Sequence, residues 1–433
     1  MTVREKCDEK SGSRSFRCAD ISTPTLRNVR EGWGTPGVAY FGKIKGWATR
    51  QIAYNSPSCD FLIMTIVVRS FAKINLGLYI GAARADGYHD LRTVYQTIAL
   101  HDVIRVSIER NSGRGSGIEI LCRNKDPRVP LDSSNTCYRI AERVTAELGA
   151  QRRVCIEIEK RLPVQGGLGA ASSNAVATML ALELALKKTR ALKKTLPAAA
   201  RLRIAAEVGS DLPLFLVGGT TLGVGHGEEV YPLPDLPAVA IVVVMPEVGV
   251  STAQAFADWD ALVASGAELR SAWTGGGARP HTNKAAELRS AGRAGAAVPT
   301  RDQLTRPGAS DRLFEVGCAL SAWLNSYPNT GASAKGGSRA GNVLSDLVRT
   351  GIENDFEKVV FPQYPELRDI KGALERAGSR YASLSGSGST LYGLFRSPAD
   401  AAKAASRLRK QGLKAVATST LTRQKYWKRI LDG

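Results

Sequence analysis

The run Lys160-Arg161-Leu162-Pro163-Val164-Gln165-Gly166-Gly167-Leu168-Gly169-Ala170-Ala171-Ser172-Ser173-Asn174 decides how the first half of the chain is read. A strand pattern enters it, with Val154, Ile156 and Ile158 alternating on one face. A helix pattern leaves it, with Val176, Met179, Leu180 and Leu184 at helical spacing. A chain built this way exposes backbone N–H groups at a helix N-terminus, where the dipole adds partial positive charge. Such a turn cradles phosphate. Gly166, Gly167 and Gly169 allow close backbone approach. Ser172 or Ser173 adds a hydroxyl for a phosphate oxygen or a magnesium ion. The run is not the common P-loop, because no Gly-Lys-Ser/Thr ends it, and its glycine spacing is not that of the dinucleotide fingerprint. Alone, it also reads as a tight turn that binds nothing. Its meaning comes from what flanks it.

The chain has 433 residues, enough for two ordinary domains. The apolar run over 61–68 is far too short to span a bilayer. Seven cysteines, an odd number with no Cys-x-x-Cys pair, argue for reduced thiols in the cytoplasm and against a disulfide scaffold or a zinc site. The four histidines lack metal-ligand spacing. The formal charge is +19, yet Lys and Arg are spread along the chain. That favours a solvated basic surface attracting small anionic substrates over a nucleic-acid binder.

Residues 1–63 show no sustained period, lack the apolar core of a secretory signal, and are too acidic for a transit peptide. They are expected to be a disordered extension or translated upstream sequence, with Met64 as the natural start. From Ile66 to Ile80 the chain alternates as a strand. Ile66, Val68, Ser70, Ala72, Ile74, Leu76 and Leu78 fall on one face; Arg69, Phe71, Lys73, Asn75 and Tyr79 fall on the other. Strands are expected near 102–109, 117–122 and 154–160, and helices near 134–148, after the Gly loop, and near 198–208. Gly149 would stop the first of these helices. These elements form a first domain over 64–236. A second, over 237–428, opens with a buried strand at 238–245 and carries a loop insertion at about 264–341. Helices near 343–360, 365–378 and 398–411 and strands near 381–385, 390–395 and 413–422 complete an α+β unit.

Four further motifs stand with the Gly loop: Phe71-Ala72-Lys73-Ile74-Asn75-Leu76, Arg84-Ala85-Asp86-Gly87-Tyr88-His89, Gly209-Ser210-Asp211-Leu212-Pro213-Leu214-Phe215, and Ser385-Gly386-Ser387-Gly388-Ser389. Phosphoryl transfer asks for positioning and charge neutralisation, with a carboxylate to receive the alcohol proton and a lysine to stabilise developing charge. Lys73 and Asp211 have the chemistry for those roles. By itself, Lys73 reads as a solvent-facing strand residue and Asp211 as a helix cap or turn former.

In kind and order the five motifs resemble the GHMP kinase superfamily over roughly 66–425, apart from 264–341. The Ala-Lys-Ile-Asn-Leu and Asp-Gly-Tyr-His motifs resemble its branch acting on a cytidine-diphosphate-linked polyol. The resemblance implies a two-domain α+β fold: an N-terminal ribosomal-protein-S5-like βαβ domain, then a C-terminal ferredoxin-like α/β sandwich. It implies ATP and Mg2+, with transfer to a tertiary C2 hydroxyl in a cleft between the domains. Lys73 and Asp211 would be catalytic. Gly166, Gly167, Leu168, Gly169, Ala170, Ala171, Ser172 and Ser173 would hold the phosphates, magnesium being carried mainly by the nucleotide. Lys160 and Asn135 would meet the adenine end. Asn75, Tyr88, His89 and Phe256 would bind the acceptor, His89 hydrogen-bonding the cytosine between Tyr88 and Phe256, and Gly386, Ser387 and Gly388 would lie beside its diphosphate. Gln165 and the Ala170-Ala171 pair depart from a family pattern richer in glycine. A homoserine- or mevalonate-type kinase, and a basic RNA-binding protein of S5-like fold, are the competing readings. A monomer or homodimer acting on a small molecule, with no membrane or nucleic-acid partner, is expected.

Overall fold

Two long strands, β1 (Ile63–Ala83) and β2 (His89–Glu109), pair antiparallel and form the spine of the first sheet. The computed structural model describes residues 63–109, 117–189, 195–265 and 352–431. The N-terminal extension to residue 62 and the insertion from 266 lie outside the described residues. After β2 come β3 (Gly117–Cys122), α1 (Thr136–Leu148) and β4 (Arg153–Glu159). β3 and β4 run parallel with α1 as the crossover, which is the βαβ unit expected. Asn135 caps α1 by accepting from Cys137 N, and Gly149 ends it at φ +62, the left-handed stop that its glycine suggested. The Gly loop leads into α2 (Ala170–Lys188), followed by α3 (Ala198–Val208), α4 (Leu212–Val217), β5 (Thr220–Val224) and β6 (Glu229–Pro232). The sheet order is β3-β4-β2-β5-β6, with β1 also paired to β2.

The second sheet holds β7 (Ala240–Val244), β8 (Tyr381–Leu384), β9 (Leu391–Phe395) and β10 (Ala415–Ser419) in the order β10-β7-β9-β8, all antiparallel. Numbered within the sheet this is 4-1-3-2, the ferredoxin-like arrangement. Its helices are α5 (Thr252–Ala264), α6 (Glu357–Gln363), α7 (Pro365–Arg376) and α8 (Pro398–Lys410). The helix expected over 343–360 is shorter where it can be described. Residues 352–356 are not helical: Asn354 bridges to Leu78, and only from Glu357 does the chain coil.

Hydrophobic burial explains how the parts close. Leu78 and Ile80 pack with the second sheet and its helices. Ala72, Ile74 and Leu76 meet Ile241, Val243, Tyr392 and Leu394 in a cluster that joins the two sheets. Phe71 packs in the same cluster as Ile66 and Val68, so the strict two-face alternation of β1 is not kept. The β1–β2 register slips between Phe71 and Lys73, and such a bulge re-aims side chains. A last helix, α9 (Arg423–Ile430), follows β10 and returns to the first core through Tyr426 and Ile430. A linear boundary at 236 does not anticipate that return.

Candidate active site

Lys73 is buried on a strand that covers both of its faces, so the solvent-facing reading fails. Its Nζ lies 3.4 Å from Asp211 Oδ2 and donates to Asn75 Oδ1 at 2.7 Å. Asn75 Nδ2 donates to Thr93 Oγ1 at 2.7 Å, which in turn donates to the Gly77 carbonyl. Asn75 is thereby fixed with its oxygen toward the lysine. Asp211 directly precedes α4, yet its side chain makes no cap. Oδ1 instead accepts from Tyr95 OH at 2.9 Å, leaving Oδ2 toward Lys73. Burial, then the nearby Asp211 carboxylate, pushes the Tyr95 phenol well above its ordinary range, so it remains a donor. The Asp211 side chain is 31% exposed, accessible to a reacting group while its partners are not.

The Gly loop reaches this pair. Lys73 N donates to Leu168 O at 3.0 Å. Gly169 takes φ +66 as the α2 N-cap and offers no side-chain cap, so the first N–H groups of the helix stay available to an anion. A Cβ on Gly169 would press within 3.0 Å of the Lys73 Cγ and the Phe215 ring. Gln165 takes φ +59, a left-handed conformation that glycine adopts without cost. The Ser385–Ser389 loop closes from the second sheet. Ser385 Oγ donates to Gly167 O at 2.9 Å, and Thr390 N donates to Gly166 O at 3.3 Å. The Gly386 Cα faces Lys73, with a notional Cβ 3.7 Å from Nζ. Ser387 Oγ pairs with Thr252 Oγ1 at 2.7 Å. Gly388 is at φ +100 in the same turn.

Several expected contacts are already engaged within the protein. Ser173 is buried and donates to the Phe71 carbonyl at 2.6 Å, with Ser70 Oγ 2.7 Å away. Of the two hydroxyls, the half-buried Ser172 is the one open to a ligand. Lys160 Nζ pairs with Asp102 Oδ2 at 2.5 Å, and Asp102 also accepts from Arg161 N, Leu162 N and Asn174 Nδ2. Asn135 spends its oxygen on the α1 cap and its amide on Pro130 O. Tyr88 is largely exposed and stacks on His226, ring centroids 4.6 Å apart. Phe256 lies flat against His89 at 5.1 Å. An open slot between Tyr88 and Phe256 with His89 at its edge is therefore not what the rings form; Phe256 backs the histidine. The reason is their shared apolar surface, which stacking removes from water.

Tyr95, Asp102, Asp260 and Asn354 were not signalled by sequence. Asp260 Oδ1 lies 2.8 Å from His89 Nε2. Asn354 donates to the Leu384 and Gly386 carbonyls at 2.9 and 2.8 Å, fixing the second glycine loop. Each takes its role from a partner far away in sequence.

Comparison with known proteins follows the same lines. The GHMP kinases N terminal domain model matches residues 135–219, and the GHMP kinases C terminal model matches residues 341–414. A 4-diphosphocytidyl-2-C-methyl-D-erythritol kinase of Solibacter usitatus is 33% identical over 329 residues, 76% of this chain and 81% of the relative. One of Chlorobaculum tepidum is 31% identical over 340 residues, 78% of this chain and 92% of the relative. The crystal structure of a 4-(cytidine 5'-diphospho)-2C-methyl-D-erythritol kinase matches with a TM-score of 0.52 at 26% identity, covering 82% of this chain and 99% of that one. A homoserine kinase from Cytophaga hutchinsonii shares the fold, with a TM-score of 0.54 at 18% identity, covering 86% and 97%.

Proposed function

The chain belongs to the GHMP kinases, and within them to the 4-diphosphocytidyl-2-C-methyl-D-erythritol kinases, and on that premise we propose how its residues carry the reaction. The enzyme transfers the terminal phosphoryl group of ATP to the C2 hydroxyl of 4-diphosphocytidyl-2-C-methyl-D-erythritol, a step of non-mevalonate isoprenoid biosynthesis. The observation that carries the mechanism is the Lys73–Asp211 pair, 3.4 Å apart and tied through Leu168 O to the Gly loop.

The nucleotide phosphates sit on the 166–172 turn and the uncapped start of α2. The acceptor's C2 oxygen attacks the γ-phosphorus, the bond to the β,γ-bridging oxygen breaks, and ADP leaves. The hydroxyl proton passes to Asp211, held in place by Tyr95. Lys73 neutralises charge growing on the transferred group, its ammonium oriented by Asn75. Among the described residues no group of three or more His, Cys, Asp or Glu side chains could hold a metal ion. Magnesium would be held mainly by the nucleotide phosphates, with the Ser172 hydroxyl as its protein ligand. Tyr88 and His89 receive the cytidine end, and Gly386–Gly388 lie beside the diphosphate. The first lobe, 64–236, supplies the ATP cradle and the second the acceptor loop. The test is a kinase assay with magnesium-ATP offering the cytidine-linked alcohol, homoserine and mevalonate in parallel. Turnover confined to the first supports the assignment; turnover of a free alcohol alone overturns it.

A further inference from the structure

Two contacts from one helix fix the imidazole of His89. Phe256 and Asp260 lie four residues apart on α5 and so share a face. The Phe256 ring stacks on His89 with planes 13° from parallel, and is itself braced edge-on by Phe356 at 5.0 Å. The Asp260 Oδ1 stands 2.8 Å from His89 Nε2. One contact sets the plane of the ring and the other its rotation within that plane. An ionised carboxylate accepts and does not donate, so in the neutral imidazole Nε2 carries the proton and Nδ1 is a lone pair. Asp260 is half exposed, so its place opposite a buried histidine is not a demand of core packing.

We propose that Asp260 is a positioning residue for base selection: it fixes the His89 tautomer so that Nδ1 is presented as an acceptor, which takes the amino group of cytosine and rejects the carbonyl of uracil. The inference rests on the reading above in which His89 meets the base. Cytosine carries a donor at its 4-position, whereas uracil carries an acceptor there. An Nδ1 lone pair bonds the first and repels the second. Without Asp260, either nitrogen holds the proton, and the Nδ1–H form donates to a uracil carbonyl. Loss of Asp260 therefore removes discrimination more than affinity.

The experiment is calorimetric titration of the full chain with CDP and with UDP, for the wild type and for Asp260→Ala, Asp260→Asn and His89→Ala. The wild type is expected to prefer CDP by roughly 10- to 100-fold, the worth of one such bond gained against one unpaired group. Asp260→Ala should lower that ratio about tenfold. Asp260→Asn should keep more of it, because its amide oxygen still accepts from Nε2–H. Nitrogen spectra of labelled histidine should show the Nε2-protonated tautomer for His89 in the wild type. Equal weakening of CDP and UDP in Asp260→Ala, or an Nδ1-protonated wild type, overturns the inference and leaves the base contact standing. Unchanged CDP binding in His89→Ala overturns the base contact itself, and the inference with it.

Discussion

The backbone of Gly167 lies directly against the carbonyl of Ser385, so closely that no Cβ fits between them. Gly167 belongs to the proposed ATP cradle and Ser385 to the loop from the second sheet, and Ser385 Oγ returns a hydrogen bond to Gly167 O at 2.9 Å. The two glycine loops therefore meet backbone to backbone, with Thr390 N also donating to Gly166 O at 3.3 Å.

Gly167→Ala is therefore expected to be destabilising and inactive. It adds a methyl against backbone, which cannot swing aside, at a residue with φ +73. A cost on the order of 2–4 kcal/mol follows from strain and the forced separation of the loops. Urea unfolding measures the first effect and turnover the second; a variant of wild-type stability would show that the loops separate freely.

Asp211→Asn should lower kcat by about 10²–10⁴-fold with ATP binding nearly unchanged, since the amide keeps the shape but cannot take the proton. Tyr95→Phe should lower kcat by roughly tenfold and leave both KM values alone, because it removes one hydrogen bond from the carboxylate and nothing from either ligand. A Tyr95→Phe enzyme altered only in its KM for ATP would remove the tyrosine from this role.

Asp102→Ala should cost more stability than Lys160→Met. The first leaves a buried ammonium and three N–H donors without their acceptor, on the order of 3–5 kcal/mol. The second leaves Asp102 with those three donors still in place. Denaturation midpoints compare them; the reverse order would mean that Lys160 is held for the nucleotide rather than by Asp102.

Cys137 should resist alkylation in the folded chain. Burial pushes its thiol up to about 12, so no thiolate is present at neutral pH and the sulfur is out of reach. Peptide mapping after iodoacetamide treatment, with and without urea, checks this. Modification of Cys137 without denaturant would contradict the packing of α1.

Gln165 marks a local conflict that the fold overrides. Its left-handed conformation costs a non-glycine residue about 1–2 kcal/mol. Gln165→Gly is expected to raise stability by less than that, since glycine also frees the unfolded chain. A fall in melting temperature would show that the glutamine side chain does something in the loop.

Much of the fold was legible along the chain because it is written in local periods. The spacing of Val154, Ile156 and Ile158, the Gly149 stop, and the order of elements from Pro365 to Ser419 all state secondary structure through rules that act within a few residues, whereas α5 and α9 carried no such signal. The motifs carrying Lys73, the Gly loop and Asp211 were legible for the same reason. Asp211 was ambiguous with a helix cap, and only the missing cap bond together with the Tyr95 contact separates the two. The local pattern predicts helix before α6, and it fails there because Asn354 bridges to Leu78, a partner outside any local window.

Sequence by itself determined which elements form and which chemical groups the chain owns. Tertiary structure alone decided which of those groups face a ligand and which face each other. Ser173, Asn135 and Lys160 have the atoms to bind a nucleotide, and each also has a partner inside the chain, in the Phe71 carbonyl, the α1 cap and Asp102. The reason is that a buried polar group must find a partner wherever the packed chain offers one, and that partner is set by closeness in space, on which spacing along the chain is silent.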